Sequence, residues 1–316
     1  MRQERVGLVF AALCALNGAF VPAVAKLTTA RADPLFIATA TSAIAGACAA
    51  LLLAATGELG WLTDRRRVPR LIAVGALGTA LTSLLFFAGA RRTSAIETVL
   101  CVQIESVYSL LLARLFLGHP LTPRRLGAVA AIVAGIALAL NPSGFSGWLG
   151  VGLLLATPLG WQVSHLIVLR RLADVPARAL TGARYVFGGA VLAVVWAASG
   201  GAGRLPPPAE LARLAPILVL QGALLSFVGT LFWYETIKRL DLARSTAIVV
   251  PSVPLLSLGA SLALLGEVAQ PRQWLGLLLT AAGVLAFVTS PHSTAPDLPL
   301  GDHDAPIPAT DSEPAG

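Results

Sequence analysis

Charge is what this chain lacks most. Of its 316 residues only 12% are Asp, Glu, Lys or Arg, about half the ~25% usual in soluble domains. So little charge cannot cover a water-facing surface of this size, and lipid is the expected surrounding. Lysine is nearly missing, with Lys26 and Lys238 the two in the sequence. Cysteine is sparse as well: Cys14, Cys48 and Cys101 each fall inside an apolar run, without metal-ligand spacing. They read as small apolar residues, not as a disulfide framework or a zinc site. No His-Glu-x-x-His, no phosphate-binding Gly-rich loop and no Gly-x-Ser-x-Gly elbow is present. The expectation is therefore no enzyme, no metal, no cofactor and, for this chain by itself, no ATP-driven pump.

What is abundant is apolar sequence, 56% of the chain with a mean hydropathy of +0.78. Ten apolar segments can be cut from it, at about 6–26, 35–57, 70–90, 94–117, 123–141, 147–169, 177–199, 213–235, 243–266 and 272–290. Each is near the ~20 residues that cross a bilayer as a helix, and hydrocarbon allows little else. Breaks between them carry turn residues, such as Asp33-Pro34, His119-Pro120 and Asn141-Pro142. The fold class expected is all-α membrane, with ten transmembrane helices. The formal charge of +7 does not point to nucleic acid, because the arginines lie between apolar runs (Arg65-Arg66-Arg67, Arg124-Arg125, Arg170-Arg171) without aromatic or Gly-rich basic modules. Met1 to Ala25 has the look of a cleavable signal peptide; a retained first helix is preferred because the run is long enough to span and has a counterpart later in the chain.

A shift of 148 residues superposes 91–135 on 239–283 without gaps. Arg91 meets Arg239, Thr98 meets Thr246, Leu117-Gly118 meets Leu265-Gly266, Pro123-Arg124 meets Pro271-Arg272 and Gly135 meets Gly283. Chance pairing of Ala/Leu-rich helices does not set Gly, Pro and Arg in register. The organisation expected is a first repeat at 1–142, a second at 143–291, and an acidic, disordered tail at 292–316. Five helices per repeat is an odd number, so the two halves enter the membrane with opposite sense, the architecture of carriers with a site near the midplane. With the N-terminus in the cytoplasm, fourteen Lys and Arg fall in inside-facing segments and seven in outside-facing ones, which places both termini inside. Abundant Arg and Ala suggest a GC-rich bacterial genome, hence a plasma (bacterial inner) membrane.

The stretch Thr93-Ser-Ala-Ile-Glu-Thr-Val-Leu-Cys-Val-Gln-Ile-Glu-Ser-Val-Tyr108, continuing to Leu117-Gly118-His119, resembles the fourth helix of EamA-type transporters of the drug/metabolite transporter superfamily. That helix carries a Glu-Pro pair and then Leu-Gly-Glu; Val253-Pro254 and Leu265-Gly266-Glu267 take the matching places in the second half. Asn17-Gly18 through Lys26, and Gly160-Trp161 through Arg170-Arg171, echo the family's first-helix motif. Departures are Asn17 for the aromatic, Arg170 for Lys, Ser106 after Glu105, His119 for Glu, and Val253 before Pro254. The resemblance implies movement of small organic solutes, often amino acids or other metabolites, frequently outward. The partners it implies are a solute and the lipid bilayer. A monomer and a homodimer both remain open, and the rival classes are an intramembrane enzyme and a non-transporting receptor or assembly protein.

Ionisable groups at membrane depth are functional candidates because burying them is costly. Glu105 shares a helix face with Glu97, Cys101 and Tyr108. It reads either as a carboxyl that exchanges protons or meets a substrate amine, or as a hydrogen-bonded pin between helices. His165 shares a face with Trp161 and Gln162, and reads either as a proton relay in a polar and aromatic wall or as a lone histidine that hydrogen-bonds a neighbour. Arg184, beside Tyr185, can grip a carboxylate, though snorkelling to the surface is the safer expectation. Asn17, Gln103 and Gln221 can read a solute or join helices, with Gln103 turned off the Glu105 face. Pro251 and Pro254 should kink the ninth helix and free backbone carbonyls for gating. The central cavity is expected between the halves, on helices carrying Asn17, Glu105, Tyr108, Trp161, His165 and Tyr185.

Overall fold

The computed structural model describes residues 2–117, 122–141, 144–240 and 242–290, all helices and short connections with no strand among them. The expectations for His119 and for the acidic tail lie outside the described residues. The helices are α1 Arg2–Thr29, α2 Pro34–Ala55, the single turn α3 Gly60–Thr63, α4 Val68–Gly75, α5 Thr82–Ala90, α6 Ala95–Val102, α7 Glu105–Leu117 and α8 Pro123–Ala139. The second half holds α9 Gly144–Arg171, α10 Ala177–Ala198, α11 Pro208–Val219, α12 Gly229–Leu240, α13 Leu242–Leu265 and α14 Pro271–Val288. Two spans are composite. A π-helical stretch, Ala76–Leu81, joins α4 to α5, and another, Leu220–Val228, joins α11 to α12.

Nine spans among the described residues are long and apolar enough to cross a membrane. The tenth expected span is α8, whose 17 residues rise about 26 Å at ~1.5 Å per residue, slightly under the ~30 Å hydrocarbon core. It packs along α14 through facing glycines. A Cβ on Gly135 would press on the Gly276 carbonyl oxygen, and a Cβ on Gly276 on that of Gly135.

Helix starts follow from local chemistry. The Asp33 carboxylate accepts from the Leu35 and Phe36 amides, with Pro34 preset in the first turn. Ser94 and Glu97 form a capping box on α6, and Thr122 caps α8 ahead of Pro123.

Contacts between connections fix which span ends lie together. At one end Gly7 meets Leu240, Arg67 pairs with Asp174 at 2.6 Å, and Arg124 reaches Thr289 at 3.2 Å. At the other end the Lys26 ammonium donates to the Arg91 carbonyl at 3.1 Å, the Asn141 amide donates to Glu97 at 3.0 Å, and Gly150 packs on Arg92. Helix α1 thus starts at the first end and α9 at the second, the inverted arrangement that five spans per half demand.

The Leu265-Gly266-Glu267 motif has a visible use at that second end. Gly266 adopts φ +66°, a left-handed conformation that ends α13 and suits glycine. Glu267 then reaches the start of α6, accepting from the Ala95 amide at 3.0 Å and the Ile96 amide at 3.4 Å. A carboxylate there meets both the unpaired amides and the positive end of the helix dipole.

Replacing Gly276 with Val should cost about 1–3 kcal/mol through overpacking against α8. Unfolding of purified protein in detergent should show this as a lowered melting temperature. Val at Gly152, where a Cβ meets nothing within 4 Å, should leave the melting temperature unchanged.

Candidate functional site

Helices α2 and α10 cross on small residues at the centre of the molecule. A Cβ on Gly46 would lie 3.0 Å from the Tyr185 carbonyl oxygen, and one on Gly189 3.3 Å from that of Ser42. The contact is reciprocal: counting from the helix starts, Thr41-Ser42 of the first half correspond to Arg184-Tyr185 of the second. Around this crossing the two halves leave a cavity of about 390 Å³, within the range of small-molecule sites.

Both π-helical stretches border the cavity. Widening a helical turn to i→i+5 spacing frees a carbonyl inside hydrocarbon, and such turns gather at functional positions. In the first half the Gly78 carbonyl accepts from Arg184 Nη2 at 2.8 Å and from Thr82 Oγ1 at 2.9 Å. In the second the Ser226 carbonyl accepts from Tyr185 Oη at 3.1 Å and from Thr230 Oγ1 at 2.8 Å. Gly78 and Ser226, like Thr82 and Thr230, are separated by the same 148 residues as the repeat. Adjacent residues of α10 therefore tie together the equivalent π turns of the two halves. Asn17 completes the wall, its Nδ2 donating to the Leu224 carbonyl at 3.0 Å.

Asn17, Trp161, His165, Arg184, Tyr185 and Gln221 all line the cavity. His165 is exposed there, whereas Gln221 is 2% exposed and its Oε1 accepts from Thr28 Oγ1 at 3.3 Å. The apolar part of the wall comes from Val21, Phe86, Phe87, Leu225 and Trp233 beside Trp161; of these, the sequence patterning points to Trp161 alone. Arg184 does not snorkel as expected. Its guanidinium turns to the Gly78 carbonyl, an acceptor that the π turn presents towards α10.

Glu105, Tyr108 and Gln162 are not among the lining residues. Glu105 begins α7 just after a break at Gln103–Ile104, where the backbone tightens to i→i−3 bonds such as Ile104 N to Cys101 O at 3.2 Å. That break turns the carboxylate towards α9, where Oε1 accepts from Gln162 Nε2 at 2.8 Å. Glu105 thus stands directly behind the Trp161–His165 wall. Helix α13 runs through Pro251 and Pro254 where its equivalent in the first half, lacking proline, is interrupted. Pro254 cannot donate to the Val250 carbonyl, and Gln103 Nε2 approaches that oxygen at 3.5 Å, long for a hydrogen bond. Among the described residues no three His, Cys, Asp or Glu group together as metal ligands.

Asn17→Ala takes one of two donors from the Leu224 carbonyl, which keeps the Gly229 amide, and also removes the side chain packed on Gly229, and should cost about 1–2 kcal/mol. Tyr185→Phe should cost less, about 1 kcal/mol, because Thr230 still serves the Ser226 carbonyl. Reversible denaturation in mixed micelles checks both values and their order.

A family model described as the EamA-like transporter family matches the chain twice, at residues 5–141 and 148–289. The chain is 29% identical over 242 residues, 74% of its own length and 78% of the other's, to a protein of Streptantibioticus cattleyicolor named "Probable terminal-alkyne amino-acid exporter". A solved crystal structure with 18% identity covers 90% of this chain and 96% of its own, with a TM-score of 0.60; at that identity the likeness is one of fold. Two matched copies across nearly the whole length, on a bundle with a polar chamber between its halves, decide the classification: the chain belongs to the EamA-like transporter family and is a multi-pass membrane transporter of small molecules.

Proposed function

We propose that the protein exports a small amino-acid-like solute across the bacterial inner membrane, by alternating access of the central cavity to the two faces. The observation that carries this reading is the 390 Å³ chamber at the junction of two inverted repeats, walled by both polar and aromatic side chains. Its size suits a compact solute, and its place lets rocking of one half on the other change which face it opens to. The exporter name of the relative supports the outward direction and the amino-acid class. The excess of Arg and Lys at the end where α1 begins supports a cytoplasmic location for both termini.

Glu105 is the group we assign to proton coupling. It lies inside the bundle rather than on a loop, its carboxylate accepts from Gln162 among the described residues, and Gln162 adjoins Trp161 of the cavity wall. A carboxyl so placed can sense the solute through a single intervening side chain, taking up or releasing a proton as that wall moves. The competing assignment, a static pin between α7 and α9, uses the same bond.

Proteoliposomes separate the two. Glu105→Gln keeps a hydrogen-bonding side chain of the same shape but cannot ionise. Uptake of a labelled terminal-alkyne amino acid driven by a pH gradient should fall at least tenfold, while exchange of the same solute down its own gradient continues. Undiminished pH-driven uptake would remove Glu105 from coupling. Recovery of the solute chemically altered would replace transport by enzymology.

A further inference from the structure

The charge inside the cavity is one-sided. Arg184 is the one Arg or Lys side chain among its described lining residues, His165 is the other basic group, and no Asp or Glu is among them. The guanidinium is also underused. Of its five N–H donors, the structure commits one nitrogen, Nη2, to the Gly78 carbonyl, and Nε is buried without a hydrogen-bond partner. Arg184 has no ion pair within 4.0 Å among the described residues. The Glu105 carboxylate, behind the cavity wall, is bound to Gln162. Two further buried atoms of the same wall also lack partners, Gln221 Nε2 and Thr79 Oγ1. Gln221 is oriented by Thr28, which occupies its Oε1.

Unpaired buried donors are costly unless something arrives to meet them. Here the unpaired donors are a cationic fork edge, an amide N–H and a hydroxyl, all on one chamber. A planar carboxylate fits that set, since it accepts two parallel N–H bonds from the Nε–Nη2 edge. One arginine and neutral neighbours balance a single negative charge. The rest of the wall mixes aromatic and aliphatic side chains with neutral hydroxyls such as those of Thr41, Ser42, Ser83 and Thr230, and among the described lining residues it offers no acidic side chain to an ammonium group.

We propose that Arg184, assisted by Gln221, is the specificity-determining residue of the cavity, and that it selects compact monocarboxylates by their carboxylate, with or without an α-amino group. This rests on the transporter reading of the same cavity and deepens it. Binding exchanges the Gly78 carbonyl for the solute's carboxylate on Arg184. The solute thereby unties the first-half π turn from α10, while Tyr185 keeps the second-half π turn tied. Recognition and loosening of one repeat are then the same event.

The test uses purified full-length protein and three molecules sharing one phenyl tail: phenylalanine, 3-phenylpropanoate, which lacks the ammonium, and phenylalaninamide, which lacks the carboxylate charge. Dissociation constants come from quenching of tryptophan fluorescence, since Trp161 and Trp233 line the cavity. Phenylalanine and 3-phenylpropanoate should bind within about threefold of each other, and phenylalaninamide at least tenfold more weakly. Arg184→Gln should erase the difference between acid and amide, and Arg184→Lys should restore it only in part, having the charge without the fork. Equal binding of acid and amide by the unaltered chain overturns the proposal, as does failure of either acid to bind. The three-ligand series needs no variant, so it decides even if Arg184→Gln does not fold. Binding in the expected order without flux in proteoliposomes would sink the transport reading and leave this assignment standing.

Discussion

Hydrocarbon gives a backbone no water to bond with, and that constraint organises this molecule. Wherever the chain departs from regular helix inside the bundle, a side chain has to meet the freed group. The departures that border or adjoin the cavity include two π-helical stretches, one interruption at Gln103–Ile104, and the prolines of α13. The two π stretches and α13 are met by side chains of other helices. Arg184 serves Gly78, Tyr185 serves Ser226, Asn17 serves Leu224, and Gln103 approaches Val250. The polar residues of the interior are therefore not scattered decoration. They sit where the backbone is open, and the cavity is the space they surround.

The bundle itself was readable from the chain because the same constraint writes spans as long apolar runs broken by Pro, Asp and Arg. The inverted repeat was readable because glycines and prolines at close crossings resist drift: Gly135 and Gly283 keep register since a Cβ at either meets backbone. Irregular helix was not readable. Nothing in Ala76–Leu81 or Leu220–Val228 distinguishes a π turn from an α turn by composition, as the wider turn is held by tertiary bonds. Proline pointed the other way, since α13 passes through two of them unbroken while α6 and α7 separate without any.

The direction of a long side chain was the second thing hidden. Helical spacing places Arg184 on a face but leaves open whether the guanidinium runs to the surface or inward; a carbonyl turned towards it by another helix settles it. Glu105 illustrates the reverse. Its face was sound by spacing, yet the break before it rotates α7 relative to α6, so Glu97 caps at the membrane edge while Glu105 meets Gln162 behind the cavity. The aromatic lining from Phe86, Phe87 and Trp233 was unremarked because aromatic residues in a span look alike whether they face lipid or a chamber.

The near-twofold crossing of α2 and α10 has a consequence for ancestry. The positions that match Arg184-Tyr185 in the first half are Thr41-Ser42, also on the cavity. A symmetric pair made from two copies of the first half would hold no guanidinium at its centre; one made from two copies of the second would hold two, repelling each other across the axis. Joining the halves in one polypeptide removed that choice. Only two halves of different sequence can keep a lone positive charge at a symmetry axis, so the chemistry now found there requires that the repeats have diverged.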